Sequence, residues 1–491
     1  MDAAAVSPSQ PEIPVIDAPW ASVRASLFVG GQRRLEARTY LTDGYGIRQR
    51  MVSTPGATVL VSDVAEVWQP SRLKGYVVAP GRGLPFLSAG QVFEAKPRVR
   101  KWLAPAMVPE KERRLVDPGW LLLSCSGEVG QLTAVYPEHL DKVITHDLLR
   151  IVPRDPDDYG WLYAYMKTPS FHSIARSAQY GHMIKHLEPE HVRCMPVAMP
   201  PEEMRREIGD QARQAVEMRT KARASQAQAD ALYSKLINPT DVEIQESVAQ
   251  VVPVSEIVAG RRRLEGQFYR AEVRQLEALV RKAATAGVVR LEDVVCSIGL
   301  GGRFKRFFGA KGTPYRSAGE LFDVNAAVTK RIHSSLLPDP EAYMLHAGWI
   351  IMACSGQTYG LLGRTLVLTE NHEGVFGSHD LIRIIPDEAR IRTGYLQTAL
   401  SHADYGRPLV VRSASGTSVP HLDPVDIREV PIPRFDEATE ASIAVLCDAA
   451  IQLSAEADRL EMKAVREAES VVESMTGQHG VVLALPTGAE G

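Results

Sequence analysis

The sequence contains a long internal repeat. Residues 119–127 (GWLLLSCSG) return 229 residues later as 348–356 (GWIIMACSG), with five of nine positions identical. Four further blocks recur in the same order, at offsets that drift from 229 to 235: 33–36 with 262–265, 83–90 with 312–319, 145–153 with 378–386, and 186–189 with 421–424. Collinear blocks with slowly drifting offsets indicate two copies of one domain that differ by small loop insertions. A duplicated domain usually binds two versions of one kind of target.

Bulk composition narrows the class of protein. The 491 residues have room for two to four domains, and 45% hydrophobic with 23% charged residues is ordinary for a soluble globular chain. No stretch approaches the roughly 20 consecutive apolar residues of a membrane span, and the N-terminus lacks the pattern of a secretory signal. Five cysteines without a Cys-x-x-Cys pair argue against a disulfide framework and against a zinc site. We therefore expect a cytoplasmic protein.

The charge distribution is more informative than the net charge of −3. Residues 71–101 contain seven basic side chains and one acid, and the matching residues 300–330 contain six and two. Local positive charge is what a surface facing DNA phosphates requires, although a solvated, charge-rich loop has the same composition. The candidate DNA contacts are Arg72, Lys74, Arg82, Lys96, Arg98, Arg100 and Lys101 in the first copy, and Arg303, Lys305, Arg306, Lys311 and Arg316 in the second.

Polar loops near the end of each copy are a second group of candidate DNA contacts. Hydroxyl, amide, imidazole and cationic side chains can contact phosphates or base edges, but ordinary surface residues have the same chemistry. These candidates are Gln179, Tyr180, His182 and Lys185 in the first copy, and Arg412, Ser413, Ser415 and Thr417 in the second.

Each copy is predicted to be a mixed α/β globule followed by a long helix. Short apolar runs such as 120–123 and 381–385 are bounded by Gly, Pro or Asp, which is typical of buried strands. Proline-rich segments then end each globule, at 196–201 and 431–433. The predicted domains are a first recognition domain (1–200), a first long helix (201–237), a linker (238–260), a second recognition domain (261–435), a second long helix (436–475) and a flexible tail (476–491).

The two predicted long helices carry a seven-residue repeat of small and large residues. A seam of this kind permits close approach of two helices, so we expect the helices to pair as an antiparallel coiled coil. The alternative is that each helix lies on its own globule. The predicted seam residues are Ile208, Ala215, Met218, Ala222 and Leu232 in the first helix, and Ile443, Leu446, Ala450, Leu453 and Leu460 in the second.

Several short motifs occur twice, in the same order. The first copy has RLEARTY (34–40), GLPFLS (83–88), SGEVG (126–130) and GHMIKHLEP (181–189); the second has RLEGQFY (263–269), GTPYRS (312–317) and GTSVPHLDP (416–424). In this order the motifs resemble those of the specificity subunit of type I restriction–modification systems, or of a related methylation-linked phage-defence system. The resemblance extends over almost the whole chain.

The resemblance implies a DNA-binding subunit without catalytic activity. Two target-recognition domains would read the two halves of an asymmetric, bipartite DNA site. The long helices would set the spacing and bind two adenine methyltransferase subunits, which would hold S-adenosylmethionine themselves. A restriction nuclease or another defence effector is a further expected partner, and the complex would be associated with the bacterial nucleoid. The alternative is a scaffold that joins defence proteins through its coiled coil and reads no DNA.

No motif for catalysis is found in the sequence. The Asn-Pro-Pro-Tyr/Phe motif of adenine methyltransferases is missing, since Pro200-Pro201 is followed by Glu202. The glycines at 299–302 lack the spacing of a dinucleotide-binding loop. The pairs His146-Asp147 and His379-Asp380 have no accompanying nucleophile or ligand cluster, so we interpret them as structural hydrogen-bond partners. We expect no catalytic residue, no metal and no cofactor in this chain.

Overall fold

The computed structural model describes residues 36–54, 56–181, 183–245, 247, 250–259, 263–324, 330–337 and 339–477. Several features of the sequence lie outside these residues. They are residues 1–35 of the predicted first domain, the start of one repeat block at Arg33 and Arg262, the candidate DNA contact His182, part of the predicted linker, and residues 478–491 of the predicted tail.

The first globule is a mixed α/β structure that ends in a long helix. Its helices are α1 (Ala37–Leu41), α2 (Asp43–Ser53), α3 (Val61–Val64), α4 (Ala89–Phe93), α5 (Tyr159–Met166), α6 (Pro169–Ala178) and α7 (Pro189–Arg193). Its strands are β1 (Thr58–Leu60), β2 (Ala65–Trp68), β3 (Val77–Val78), β4 (Leu84–Leu87), β5 (Lys101–Leu103), β6 (Leu121–Ser124), β7 (Leu132–Ala134), β8 (Val143–Ile144), β9 (Leu148–Pro153) and β10 (Pro196–Ala198). The first long helix, α8, spans Glu202–Ile237.

The second globule has a similar order of elements, with nine described strands where the first has ten. Its helices are α9 (Val254–Ala259), α10 (Ala271–Ala283), α11 (Ala318–Leu321), α12 (Thr393–Ser401), α13 (Arg407–Val411) and α14 (Pro424–Arg428). Its strands are β11 (Val288–Arg290), β12 (Val295–Leu300), β13 (Phe308–Arg316), β14 (Lys330–Ile332), β15 (Ile350–Ala353), β16 (Thr365–Val367), β17 (Phe376–Gly377), β18 (Leu381–Pro386) and β19 (Pro431–Pro433). The second long helix, α15, spans Glu437–Thr476.

The main sheets of the two globules have the same topology. Strand order is β2-β9-β6-β7 in the first and β12-β18-β15-β16 in the second, and every neighbouring pair is antiparallel. The central strands β6 and β15 are buried along their whole length, which explains their unbroken apolar sequences. Each globule contains a second sheet, with strand order β3-β5-β4-β8 in the first globule and β14-β13-β17 in the second. The predicted mixed α/β repeat is confirmed.

The two long helices pair in antiparallel directions, as predicted. Near the start of α8, the side-chain amide of Gln211 donates to Glu467 Oε2 near the end of α15, at 2.9 Å. Towards the end of α8, the hydroxyl of Ser225 donates to the carbonyl of Leu446, near the start of α15, at 2.8 Å. Each globule packs on both helices, because Ile208 and Ala464 belong to the first core and Tyr233 and Ile443 to the second.

The buried face of each long helix differs in part from the predicted seam. Ile208, Ala215, Ala222, Ile443 and Ala450 are buried, and Met218, Leu446, Leu453 and Leu460 are half-buried. Leu232, by contrast, is 38% exposed, and its neighbour Tyr233 is buried instead. The second buried row therefore lies one residue further along, at Ala212, Arg219 and Tyr233 in α8 and at Cys447, Glu461 and Ala468 in α15. Each helix contacts a globule as well as the other helix, so its buried stripe is wider than a two-helix seam.

The repeats also touch each other directly at the ends of α4 and α11. The amide of Ala95 donates to the carbonyl of Phe322 at 3.0 Å, and the amide of Val324 donates to the carbonyl of Phe93 at 2.8 Å. Ala95 and Val324 are 229 residues apart, as are Phe93 and Phe322. Each segment thus pairs with its own counterpart, as at a two-fold axis between identical subunits.

Two carboxyl groups meet at this contact. Glu94 and Asp323, which are equivalent residues of the two repeats, face each other across an isolated antiparallel bridge. Glu94 is held by Arg100 at 2.6 Å and by Arg364 at 2.6 Å. Burial and the neighbouring carboxylate of Glu94 raise the pKa of Asp323 to about 7. Asp323 is therefore partly protonated at neutral pH.

This raised pKa predicts a pH-dependent stability. In the unfolded chain Asp323 ionises near pH 4, but in the folded chain it ionises only near pH 7, so folding becomes less favourable as the pH rises between these values. We expect Asp323→Asn to increase the free energy of unfolding at pH 8 by about 1–2 kcal/mol, after allowance for solvent screening. Urea unfolding at pH 5 and pH 8 measures the difference, which should shrink at pH 5. Glu203→Gln, an exposed change on α8, is the control, and an equal effect of Asp323→Asn at both pH values would contradict the prediction.

Candidate nucleic-acid interface

A basic loop follows strand β2 in the first globule. We call residues 72–83 the first basic edge; it runs along β3 and ends at the start of β4. Arg72, Lys74 and Arg82 are exposed on it. Tyr76 and Val77 beside them are also exposed, by 55% and 59%. Cationic groups and a free aromatic ring therefore share one surface.

The second globule has the same feature at the equivalent place. We call residues 301–312 the second basic edge, 229 residues after the first. All four of its candidate DNA contacts are exposed: Arg303, Lys305, Arg306 and Lys311. Phe307 and Phe308 are 40% and 45% exposed, and the Lys305 ammonium lies 5.4 Å from the ring centroid of Phe307. Basic composition predicts the cations of this segment but not the two aromatic residues, which could have been found from their alternation with Arg and Lys at 303–308.

The first basic edge is anchored to the turn that precedes β9. The side-chain amide of Gln69 donates to the carbonyl of His146 at 2.7 Å, and the backbone amide of Leu73 approaches His146 Nδ1 at 3.5 Å. The guanidinium of Arg114, fully buried, donates to the carbonyl of Ser71 at 3.0 Å. These bonds fix the base of the loop and leave its charged side chains in solvent.

The second basic edge is anchored by an aromatic cluster. The ring of Phe304 packs edge-on against Tyr343, Phe376 and His379, with ring centroids 4.7, 5.4 and 5.2 Å apart. The Tyr343 hydroxyl donates to the carbonyl of Gly302 at 2.9 Å. The two edges thus occupy equivalent places on the fold, but the first is anchored by hydrogen bonds and the second mainly by aromatic packing.

The paired His and Asp residues belong to these anchors. In both pairs, His146-Asp147 and His379-Asp380, the imidazole Nε2 lies 3.6 Å from the carboxylate. Burial lowers the pKa of both histidines, which are therefore neutral at pH 7. The carboxylate of Asp380 also lies 3.4 Å from the guanidinium of Arg306. The Nδ1 atom of His146 faces the backbone amide of Leu73, whereas the Nδ1 atom of His379 is buried and has no hydrogen-bond partner among the described residues.

Two buried arginines support the same turns from below. Arg150, in β9, is completely buried and donates to the carbonyls of Ile144 and Thr145 at 3.0 and 2.9 Å. Arg383 occupies the equivalent place in β18 and donates to the carbonyl of Leu381 at 3.0 Å. Burial lowers the pKa of Arg150 to about 9 and that of Arg383 to about 10. These cations organise the turns and do not reach the surface.

The polar loop of the first globule lies next to its SGEVG turn. Tyr180 and His186 exchange two backbone hydrogen bonds, at 3.0 and 2.8 Å, and close a short loop between them. The Tyr180 hydroxyl donates to Glu188 at 2.5 Å, which raises the pKa of Tyr180 to about 12. Lys185 is half-buried, with its ammonium on the carbonyl of Gly181 at 2.7 Å, and Gln179 is also half-buried.

The polar loop of the second globule turns two of its candidates inward. Arg412 is paired with Glu277 at 2.6 Å and lies over the ring of Phe268, and Ser413 is buried. Ser415 forms the backbone pair with His421 that closes the loop, at 2.9 and 2.8 Å. Thr417 is exposed at the tip. Of the four candidates, it is the one that is freely accessible.

Four of the basic candidates lie between the repeats rather than on the two edges. Lys96 forms an ion pair with Asp230 of α8, and Arg98 donates to the carbonyl of Ser401 at 3.1 Å. Arg100 holds Glu94, and Arg316 is half-buried in the cleft beside the long helices. Lys101, on β5, is exposed. Among the basic candidates for DNA contact, the exposed ones are therefore those of the two basic edges, together with Lys101 and the ion-paired Lys96.

Metal and membrane features are absent from the part of the chain that the structure describes. Within it, no group of three or more His, Cys, Asp or Glu side chains is arranged to hold a metal ion. No described helix is both long enough and apolar enough to cross a membrane. All five cysteines are free thiols.

Comparisons with known proteins give structural matches only. No protein-family model matches the sequence, and no curated protein matches it. The chain is similar in structure to a type I restriction–modification S subunit from M. genitalium, at 11% identity and a TM-score of 0.35, over 87% of this chain and 98% of the other. It is similar to a chain from a study of type I restriction–modification complex assembly (13% identity, TM-score 0.27, 87% and 98% covered). It is also similar to the HsdS subunit from Thermoanaerobacter tengcongensis (14% identity, TM-score 0.27, 86% and 96% covered). The match extends over most of the chain at low sequence identity.

Proposed function

We propose that this protein is a DNA-recognition subunit that binds a bipartite DNA site and directs partner adenine methyltransferases to it. One observation carries the proposal: both repeats present exposed cations, beside exposed aromatic or apolar residues, on equivalent loops. Buried groups at the base of each loop hold its backbone in place, so that the exposed side chains are presented on an ordered surface. Both basic edges are anchored in this way.

The chemistry of the basic edges fits duplex DNA. Exposed Arg and Lys neutralise phosphates and release counterions, which supplies affinity for any sequence. The same guanidinium groups can pair with guanine edges in the major groove, while exposed apolar side chains can contact thymine methyl groups. Tyr76, Phe307 and Phe308 are available for such contacts.

The arrangement of the repeats favours an asymmetric target. The two edges differ in sequence, with Arg72, Lys74 and Arg82 on one and Arg303, Lys305, Arg306 and Lys311 on the other. Two different surfaces, held apart by the paired long helices, would read two different half-sites. Helix α8 has 36 residues and is therefore about 54 Å long. This length would set the spacing between the two half-sites.

The remaining roles follow from the resemblance in sequence motifs. Two methyltransferase subunits would bind the paired long helices and supply S-adenosylmethionine and the catalytic residues. A restriction nuclease or another defence effector would join the same complex. The bipartite target makes one prediction for the cell: deletion of the gene should remove one split, asymmetric motif from the genome-wide adenine methylation pattern.

Charge reversal on the second basic edge tests DNA binding directly. We expect Arg303→Glu, Lys305→Glu and Arg306→Glu, combined, to weaken binding to duplex DNA by at least about tenfold near 0.1 M salt. The plot of log affinity against log salt should also become shallower, by about 0.9 for each phosphate that the protein no longer neutralises. Fluorescence anisotropy with a labelled duplex measures both quantities.

The matched control reverses the same number of charges on α15. Arg459→Glu, Lys463→Glu and Arg466→Glu change exposed residues of the helix and give the same net charge. Equal losses of affinity in both triple variants would mean that only the total charge matters. Unchanged affinity in both would remove the basic edge from the interface and favour the scaffold alternative.

A further inference from the structure

A cavity of about 180 Å³ lies between the two globules, apart from both basic edges. Its wall contains four arginines, Arg98 and Arg100 from the first repeat and Arg364 and Arg407 from the second. Tyr359 also lines the cavity and is 68% exposed, so the space communicates with solvent. Four guanidinium groups around one small cavity repel one another, so their placement together calls for a compensating negative charge.

The arginines are fixed by the protein, which leaves part of their hydrogen-bonding capacity free. Arg100 and Arg364 each bind one oxygen of Glu94 at 2.6 Å. One nitrogen of Arg407 donates to the carbonyls of Thr358, Gly360 and Leu362 at 2.7, 3.0 and 2.8 Å. Its Nε is buried and has no hydrogen-bond partner among the described residues. The guanidinium groups are thus positioned in advance rather than mobile in solvent.

The charges around the cavity do not balance. Glu94 is the acid in direct contact with the arginines, and Asp404 acts on Arg98 from a nearby turn. Lys96 and Asp230 cancel each other as an ion pair. The four guanidinium groups therefore have Glu94 and Asp404 as nearby counter-charges, together with Asp323, which is partly protonated. Burial and the other three arginines lower the pKa of Arg407 to about 10, as expected for a cation without sufficient counter-charge.

The wall that the second repeat contributes differs from the equivalent segment of the first repeat. Arg364 immediately precedes β16, and the residue that precedes β7 in the first repeat is Gln131. The turn that carries Tyr359, residues 355–363, is four residues longer than its equivalent at 126–130. Both the extra turn and the extra arginine occur where they complete the cavity. Folding of the repeated domain does not itself require them.

We propose that this cavity binds a phosphate-bearing anion. Guanidinium groups match the geometry of phosphate oxygens and bind them through paired, charge-assisted hydrogen bonds. The anion would be a free phosphate compound or a backbone phosphate of bound DNA, since both offer the same oxygens. Binding of a DNA phosphate rests on the proposed function, whereas binding of a free phosphate does not.

Two substitutions with opposite expected effects test the site in the full-length chain. Isothermal titration with inorganic phosphate, at constant ionic strength, measures the dissociation constant. Arg98→Gln should weaken phosphate binding by about fivefold or more, because one charge-assisted donor is removed. Glu94→Gln should tighten binding about threefold or more, because it removes the acid that competes for Arg100 and Arg364. Removal of a purely structural group would not strengthen binding.

Two further variants serve as controls. Arg206→Gln, on the exposed face of α8, removes one positive charge far from the cavity and should leave the constant unchanged. Arg98→Lys keeps the charge and should recover part of the affinity that Arg98→Gln removes. Circular dichroism and thermal unfolding establish that each variant folds.

Titration of the same variants with duplex DNA identifies the source of the phosphate. If the anion is a DNA phosphate, duplex affinity follows the same order, with Glu94→Gln tightest and Arg98→Gln weakest, and the salt slope falls by about one in Arg98→Gln. If it is a free phosphate, the duplex affinity of all variants is equal while phosphate binding still follows that order. This second result would hold even for a chain that binds no DNA at all. Equal affinities of wild type, Arg98→Gln and Glu94→Gln for both phosphate and duplex would overturn the proposal.

Discussion

Replacement of Glu461 by alanine is expected to lower the free energy of unfolding by about 3–5 kcal/mol. Glu461, on α15, is 1% exposed and accepts hydrogen bonds from the Tyr163 hydroxyl at 2.8 Å and from Arg219 of α8 at 2.7 Å. It also forms an ion pair with Lys167. The carboxylate therefore joins the first globule to both long helices at one buried point.

The large expected effect comes from the cations left behind. Without Glu461, Lys167 is deprived of its ion-pair partner, and Arg219, itself 4% exposed, keeps Asp458 at 2.7 Å as its acid partner. A buried charge without its partner bears the full cost of desolvation. Urea unfolding of Glu461→Ala and of Glu456→Ala gives the comparison. Glu456 pairs with Arg459 on the exposed surface of the same helix, so its removal should cost less than about 1 kcal/mol.

The same residue gives a prediction about acid stability. Burial alone would raise the pKa of Glu461, but Lys167 and Arg219 outweigh it and hold the pKa at about 2. Since the folded pKa is lower than the ordinary value of 4.5, the stabilisation is present above that value and disappears as the pH falls towards 2. The difference in stability between wild type and Glu461→Gln should therefore shrink between pH 5 and pH 2. A difference that is constant over this range would assign the effect to packing rather than to charge.

Substitution of Gly160 by alanine is expected to cost about 2–3 kcal/mol, although alanine is the better helix former. Gly160 lies in α5, where that helix crosses α8. A Cβ atom at Gly160 would stand 2.1 Å from the carbonyl oxygen of Gly209 in the long helix. Backbone atoms cannot move aside as a flexible side chain can, so the two helices must separate.

A second glycine supplies the matched control. Gly90, in α4, has no heavy atom of the described residues within 4 Å of an added Cβ. Gly90→Ala should therefore be neutral or slightly stabilising, while Gly160→Ala lowers the midpoint of thermal unfolding. Gly394, the equivalent of Gly160 in α12, meets the carbonyl of Ala444 at 2.6 Å and should respond in the same direction. Equal effects of Gly90→Ala and Gly160→Ala would contradict the close helix crossing.

Part of the candidate site was predictable from local sequence. The basic segments after β2 and β12 recur at one offset, and the structure places Arg72, Lys74, Arg303 and Lys305 on exposed loops there. Lys96, Arg98 and Arg100 have the same local signature but lie between the repeats. Their partners Asp230, Ser401 and Glu94 are, in two of the three cases, more than 130 residues away along the chain. No local pattern distinguishes an arginine in solvent from one that meets such a partner.

The packing of the long helices was also predictable only in part. The seven-residue repeat predicts the helices and their pairing, but it places the second row at Met218 and Leu232 rather than at Arg219 and Tyr233. The seven-residue repeat describes only the contact between the two helices, whereas both globules also pack on these helices. The polar centre formed by Arg219 and Glu461 follows from that third contact.

The sequence by itself determined the duplication, the mixed α/β class of each copy and the two long helices, because each depends on a motif or periodicity that can be read along the chain without knowledge of which residues meet in space. Only the tertiary structure decided which cations face solvent, which residue of each helical turn is buried, and that four arginines from two repeats surround one cavity. Those features depend on groups that are close in space and far apart in sequence, where burial and charge act together.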